Sequence, residues 1–140
     1  MPTTRIISKG LSTNTRTWSD LDLDFTKHPV TNDVSVKRNI ESVKRSVRNL
    51  IQLNLYEKPF HPEIDGGVTR HLFGLSSAHT KYDIERAIGI CLTNYEPRVQ
   101  VNNISVTEDL GRNGFNLTIV FTVVNSPEPI EVSLYLERLR

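Results

Sequence analysis

The sequence predicts an α+β domain in which two main amphipathic helices pack on a small antiparallel sheet. Three observations carry that prediction. Apolar residues recur at helical spacing in two long segments: Val36, Ile40, Val43, Val47, Leu50 and Ile51, then Ile84, Ala87, Ile88, Cys91, Leu92 and Tyr95. The last third of the chain instead alternates apolar and polar residues, as strands of a half-buried sheet do. Between the two regimes stands Asn94-Tyr95-Glu96-Pro97-Arg98, where Pro97 biases Glu96 away from helical backbone and ends the second helix.

Composition sets the outer bounds. A chain of 140 residues is long enough for one domain with a real core, and its net charge of +1 gives no global field pointing to nucleic acid or a membrane as partner. No apolar run approaches the length that spans a bilayer, and the N-terminus lacks the apolar stretch of a secretory signal. The single cysteine, Cys91, has no internal disulfide partner; it reads as a small core residue and fits a reducing compartment. Residues 1–17 carry Arg5, Lys9 and Arg16 and no acid, and read as a flexible basic arm ahead of one domain over 18–140.

After the arm, Asp20-Leu21-Asp22-Leu23-Asp24-Phe25 alternates strictly, predicting an extended segment with Leu21, Leu23 and Phe25 facing the body and the aspartates facing out. His28 to Asp33 is a turn region. The first long helix is expected from about Ser35 to about Asn54. Its apolar stripe is flanked by Lys37, Arg38, Lys44, Arg45 and Arg48, with Glu41 at helical spacing from Lys44 and Arg45. That face is basic enough to suit an acidic partner, although most such faces are simply solvated.

Tyr56 to Gly67 reads as a loop punctuated by Pro59, Pro62, Gly66 and Gly67, followed by a short apolar turn from Val68 to Phe73. Thr80-Lys81-Tyr82-Asp83 has the capping-box pattern and predicts the start of the second helix. A first strand follows through Val99, Val101, Ile104 and Val106, where Asn102-Asn103 disturbs the alternation enough to predict a bulge. Gly111 to Gly114 is a turn, and Phe115, Leu117, Ile119, Phe121 and Val123 define the next strand. Pro127-Glu128-Pro129 reads as a loop before a last strand with Ile130, Val132, Leu134 and Leu136 facing inward.

Catalytic and metal chemistry find little to use. The aspartates at 20, 22 and 24 resemble the first ligands of a calcium loop, but Phe25 replaces the glycine and Thr31 the closing glutamate. His28, His61, His71 and His79 lack zinc spacing, and Gly66-Gly67 is not followed by the Lys-Ser/Thr of a phosphate loop. No Ser or Cys sits in a nucleophile elbow. No catalytic residue, cofactor or metal is therefore assigned.

From residue types alone, Glu96 and Arg98 are a helix stop with a surface ion pair. Resemblance changes that reading. Arg48-Asn49-Leu50, Pro59-Phe60-His61-Pro62-Glu63, Leu72-Phe73 and Tyr95-Glu96-Pro97-Arg98, over Trp18 to Arg140, are similar to the small baseplate wedge protein of contractile-tailed phages. The same family includes the wedge component of type VI secretion systems and carries an old "acidic lysozyme" label. One departure is visible: the family has Phe-Gly directly after Pro-Glu, where this chain has Ile64-Asp65-Gly66-Gly67.

The resemblance implies a sheet like the handshake domain of the tail sheath protein and a structural role rather than an enzymatic one. It implies that Glu96, Pro97 and Arg98, with Pro59, Phe60, Pro62 and Glu63, hold the subunit to the core-bundle proteins of the wedge. Loss of either Glu96 or Arg98 is then expected to leave the fold intact. It also implies that the tail sheath protein adds a strand to an open edge, expected at the last strand with Ile130, Val132, Leu134 and Leu136. Tube or spike-hub proteins are further candidate partners, and the implied location is the virion tail baseplate, assembled in the host cytoplasm.

Two other functions compete. A peptidoglycan hydrolase needs a carboxylate pair with one member held protonated; among Glu57, Glu63, Asp65, Glu96, Glu108 and Asp109 no pair stands out, and Arg98 should lower the pKa of Glu96. A soluble regulator is the third reading, since a bacterial anti-adaptor has a related fold.

Overall fold

The computed structural model describes residues 18–73, 78–124 and 126–138. The basic arm read from residues 1–17 lies outside them. In chain order the elements are β1 (Ser19–Leu21), β2 (Val36–Arg38), α1 (Ile40–Gln52), α2 (Thr69–Leu72), α3 (Ala78–Tyr95), β3 (Val99–Asp109), β4 (Gly114–Val123) and β5 (Ser126–Glu137). β1 and β2 form an antiparallel ribbon; β3, β4 and β5 form an antiparallel meander with β4 in the middle.

The α+β reading holds, and the core is built from the predicted stripes. α1 buries Val43, Val47, Leu50 and Ile51, and α3 buries Ile84, Ile88, Cys91 and Leu92. They close over one face of the meander, where Phe115, Leu117, Ile119, Phe121 and Val123 of β4 are all buried. Flanking strands add Val99 and Val106 on one side and Ile130, Val132 and Leu136 on the other. The predicted bulge is present: the β3–β4 register shifts between Val101 and Asn103. The extra residue resets the alternation, so that Val101 and Ile104 both pack against the core despite their odd spacing.

The N-terminal third differs from the sequence reading. Asp22, expected outward, is 1% exposed, whereas Leu21, Leu23 and Phe25 are exposed. The strand stops at Leu21 because the chain turns there: the Phe25 N–H donates to the Asp22 carbonyl (2.9 Å), with Phe25 at φ 51°. The Asp22 carboxylate accepts the Thr26 hydroxyl (2.8 Å) and lies 3.5 Å from the Lys37 ammonium. The Thr26 bond, aided by the Asp24 N–H and Lys37 and opposed by burial, holds Asp22 below the usual aspartate range.

The first helix is also shorter than predicted. Residues 36–38 pair with β1 as a strand, leaving Val36 exposed, and Asn39 at φ 52° separates that strand from α1. Periodicity could not show this, because Val36 and Ile40 fit one helical stripe as well as two separate elements. At the other helix, α3 is already formed at Ala78, so Thr80 lies inside it rather than capping it. β5 likewise begins at Ser126 and absorbs Pro127 and Pro129, with a register irregularity opposite Thr122/Val123. Both prolines are tolerable because β5 is an edge strand.

The departing segment Ile64-Asp65-Gly66-Gly67 is anchored. Ile64 is buried, the Gly66 N–H donates to the Leu53 carbonyl (2.9 Å), and Asp65 accepts the Gly67 N–H (2.7 Å) while pairing with Arg70. A Cβ at Gly66 would press on the Ile51 carbonyl and stand 2.7 Å from that of Leu50. Gly66→Ala should therefore destabilise the fold by about 1–3 kcal/mol, the usual cost of overpacking against backbone. Denaturant melts with an unchanged m-value would check it.

Candidate functional site

The junction between helix and sheet is built from both directions. The Glu96 N–H still completes α3 by donating to the Leu92 carbonyl (2.9 Å), and the Glu96 carbonyl then accepts the Val99 N–H (3.0 Å). Pro97 in between cannot continue the helix. The Arg98 carbonyl accepts the Val124 N–H (2.9 Å), the first rung joining β3 to β4. Three residues thus convert a helix end into a strand start.

Side chains lock this corner. Arg98 grips Glu96 side-on, Nε to Oε1 at 2.6 Å and Nη2 to Oε2 at 2.8 Å. The Ser46 hydroxyl from α1 also donates to Oε2. Glu96 is 2% exposed, so its charge exists in a dry site only because these donors surround it. Burial pushes its pKa up, but the Arg98 and Ser46 hydrogen bonds and the Arg98 charge outweigh that and hold it below the usual glutamate range. Arg98 reaches further: its Nη1 lies 3.7 Å from Asp20 of β1, and its guanidinium stacks 5.9 Å from the Trp18 ring centroid.

The corner is therefore not a surface ion pair. Removing Glu96 would leave Ser46 and part of the Arg98 guanidinium without their acceptor, so its loss is expected to cost stability rather than leave the fold untouched. Ser46 escaped the sequence reading; fifty positions separate it from Glu96, and nothing local marks a mid-helix serine as a ligand of a distant carboxylate.

The Pro59–Glu63 loop meets the end of α3, where the Tyr95 hydroxyl donates to the Glu63 carbonyl at 3.4 Å. Phe60 is 96% exposed at φ 67°, and the neighbouring Tyr56 is also exposed at φ 69°. The loop is held from within, by the Tyr56 N–H on the Pro62 carbonyl (3.1 Å). A bulky side chain in a left-handed backbone and fully in water is costly twice over, a combination that suits a contact surface.

Acid chemistry has poor material. A groove of about 400 Å³ beside α2 and α3 contains Glu63, Asp65 and Asp83. Glu63 is held below the usual range by its own backbone N–H and by His61, and Asp65 is tied to Arg70. Glu57 is lowered as well, by Asn54. A general acid needs the opposite shift. Cys91, its thiol pushed up to about 11 by burial, is a packing residue. Among the described residues no group of three or more His, Cys, Asp or Glu could hold a metal.

The sheet edges differ. Arg138 donates to the Asn113 carbonyl (3.1 Å), and hydrogen-bonded pairs then recur at every second residue of the register. Ile130, Val132, Leu134 and Leu136 consequently bond to β4, while Glu131, Ser133, Tyr135 and Glu137 turn their N–H and C=O groups to the outer edge. On β3 the same count places the Val106 N–H outward, and there the Glu85 carboxylate accepts it at 3.1 Å. One edge has its Val106 N–H plugged by a helix side chain; the other carries Pro127 and Pro129 at one end, and among the described residues no backbone partner is bonded to its outward groups from Glu131 to Glu137.

Comparison with known proteins gives a consistent family. Residues 37–128 match the family model described as baseplate wedge protein gp25. The chain is 32% identical over 117 residues to baseplate wedge protein gp25 of Enterobacteria phage T4, covering 81% of this chain and 86% of the relative. In structure it is similar to a tail lysozyme, so described, from Geobacter sulfurreducens: TM-score 0.67, 16% identity, 71% of this chain and 91% of the other. A cryo-EM structure of the anti-feeding prophage baseplate matches at TM-score 0.62 and 15% identity, over 89% and 88% of the two chains. At such identities the two structures speak for the fold alone.

At neutral pH, Glu96→Ala should cost about 2–3 kcal/mol, the range for hydrogen bonds to a charged group left unmade. The acid dependence has a definite sign. Because folding lowers the Glu96 pKa below its ordinary 4.5, its contribution is complete above that value and is lost as pH falls through the folded pKa. The stability gap between wild type and Glu96→Gln should be flat from neutral pH down to that value and close below it. A gap independent of pH in chemical melts would remove the ionised pair from the account.

Proposed function

This chain belongs to the family of baseplate wedge protein gp25, and from that membership we propose that it is a structural subunit of the baseplate wedge of a contractile tail. Its place would be the virion tail baseplate. The corner and the loop serve docking to the wedge core-bundle proteins. Glu96 is the positioning member: buried, it aims Arg98, which keeps a quarter of its side chain exposed beside Asp20 and Trp18. Phe60 supplies an apolar anchor, with Pro59 and Pro62 stiffening its loop and Glu63 tying it to Tyr95.

The sheath protein would extend the meander as one chain extends a handshake-like sheet, by adding a strand at β5. The observation that carries this reading is the contrast between the edges. β3 is bulged and its Val106 N–H is plugged by Glu85, whereas the β5 backbone from Glu131 to Glu137 has no outer partner among the described residues. Ile130, Val132, Leu134 and Leu136 hold that strand on the core, so a partner can use the edge without disturbing the packing. No feature of the acidic residues favours the hydrolase reading.

Proline substitutions separate the two sides of β5. Ser133→Pro or Tyr135→Pro removes an outward N–H and should leave a folded monomer, yet electron microscopy of tails should show baseplates and tubes without polymerised sheath. Val132→Pro removes an N–H bonded to β4 and should unfold the chain. Normally sheathed tails from folded Ser133→Pro and Tyr135→Pro variants would rule out strand addition at this edge.

A further inference from the structure

A second groove, of about 330 Å³, runs between one face of α1 and the middle of β5. Its helix wall carries Glu41, Lys44, Arg45 and Arg48, Asp24 and Lys37 also line it, and its strand wall is Val132 between Glu131 and Ser133, whose backbone groups turn outward. The charges on the helix wall are incompletely matched. Lys44 is paired with Glu41 at 3.2 Å, and one amino nitrogen of Arg45 with Asp24 at 2.5 Å. The Arg45 Nε is buried and has no hydrogen-bond partner among the described residues. Arg48, exposed one turn further along, pairs with no carboxylate among them. The Glu131 carboxylate is engaged along its own strand by the Ser133 hydroxyl at 3.4 Å.

A buried guanidinium nitrogen without an acceptor is rare in a finished structure, and with Arg48 beside it leaves donors on this wall that a carboxylate would satisfy. The groove lies alongside the β5 backbone, so the arriving group comes with whatever pairs to that backbone. We infer that the strand added at β5 carries an acidic residue on the side facing α1, whose carboxylate enters this groove and completes Arg45 Nε and Arg48. The inference rests on strand addition at β5 and extends it from backbone pairing to a choice of partner. Backbone hydrogen bonds accept any sequence; one carboxylate set against Arg45 and Arg48 fixes register and rejects strands that leave these donors unmatched.

The test uses the full chain and the monomeric sheath protein of the same tail, with affinity measured at about 0.05 M and about 0.5 M salt. Arg48→Glu touches no partner in the free chain and should keep the wild-type thermal midpoint. It should weaken sheath binding about tenfold or more at low salt, abolish most of its salt dependence, and be restored by Arg48→Lys. Arg45→Lys, which keeps the charge beside Asp24 but lacks Nε, should weaken binding with the fold intact. Wild-type affinity in Arg48→Glu, with binding still lost in Ser133→Pro, would overturn the carboxylate site and leave strand addition standing. Undiminished binding by Ser133→Pro would overturn both.

Discussion

The side-on contact between Arg98 and Glu96 is the constraint on which the rest of this structure depends. It lies where the chain passes from helix to sheet, and it reaches four elements at once: α3 through Glu96, α1 through Ser46, β1 through Asp20, and β3 through Arg98 itself. A carboxylate at 2% exposure is tolerable only when its charge is matched and its lone pairs are occupied. Glu96 meets both conditions with three donors, and Pro97 keeps the two residues from sliding back into a helix. The same arrangement gives Arg98 a fixed direction, with a quarter of its side chain left exposed.

The meander divides labour in a second way. Along an antiparallel strand both side-chain direction and backbone bonding alternate with period two. On β5 the two periods coincide: residues that bury their side chains also bond to β4, and residues that face solvent also turn their backbone outward. The outward backbone groups of Glu131, Ser133 and Tyr135 are therefore separate from the core packing. β3 is managed in the opposite sense, by a bulge and by the Glu85 carboxylate on the Val106 N–H, both recognised ways of closing an edge.

The long loop before α2 shows how an unusual surface is sustained. Tyr56 and Phe60 both stand in left-handed backbone, and both are exposed. The strain is borne by the base of the loop, where Ile64 is buried, Gly66 is pressed against the end of α1, and Asp65 clamps Gly67 and Arg70. The four residues that replace the family's Phe-Gly are thus the rigid foot of the loop.

Sequence by itself determined the parts of this protein governed by periodicity and local breakers. The stripes of α1 and α3, the helix stop at Pro97, the bulge at Asn102-Asn103 and the full burial of one face of β4 were all legible, because each follows from spacing along the chain. Tertiary structure decided what depends on distant partners. Asp22 is buried against its own alternation because Thr26 and Lys37 satisfy it; Val36 leaves the helix because β1 offers it a ladder; Ser46 becomes a ligand of Glu96 across fifty residues. The plugging of the Val106 N–H also depends on α3 lying where Glu85 can reach the edge. Patterns along a chain report which face is apolar, but only the packed chain shows which polar groups find each other, because a buried charge is stable only where several separate segments meet around it.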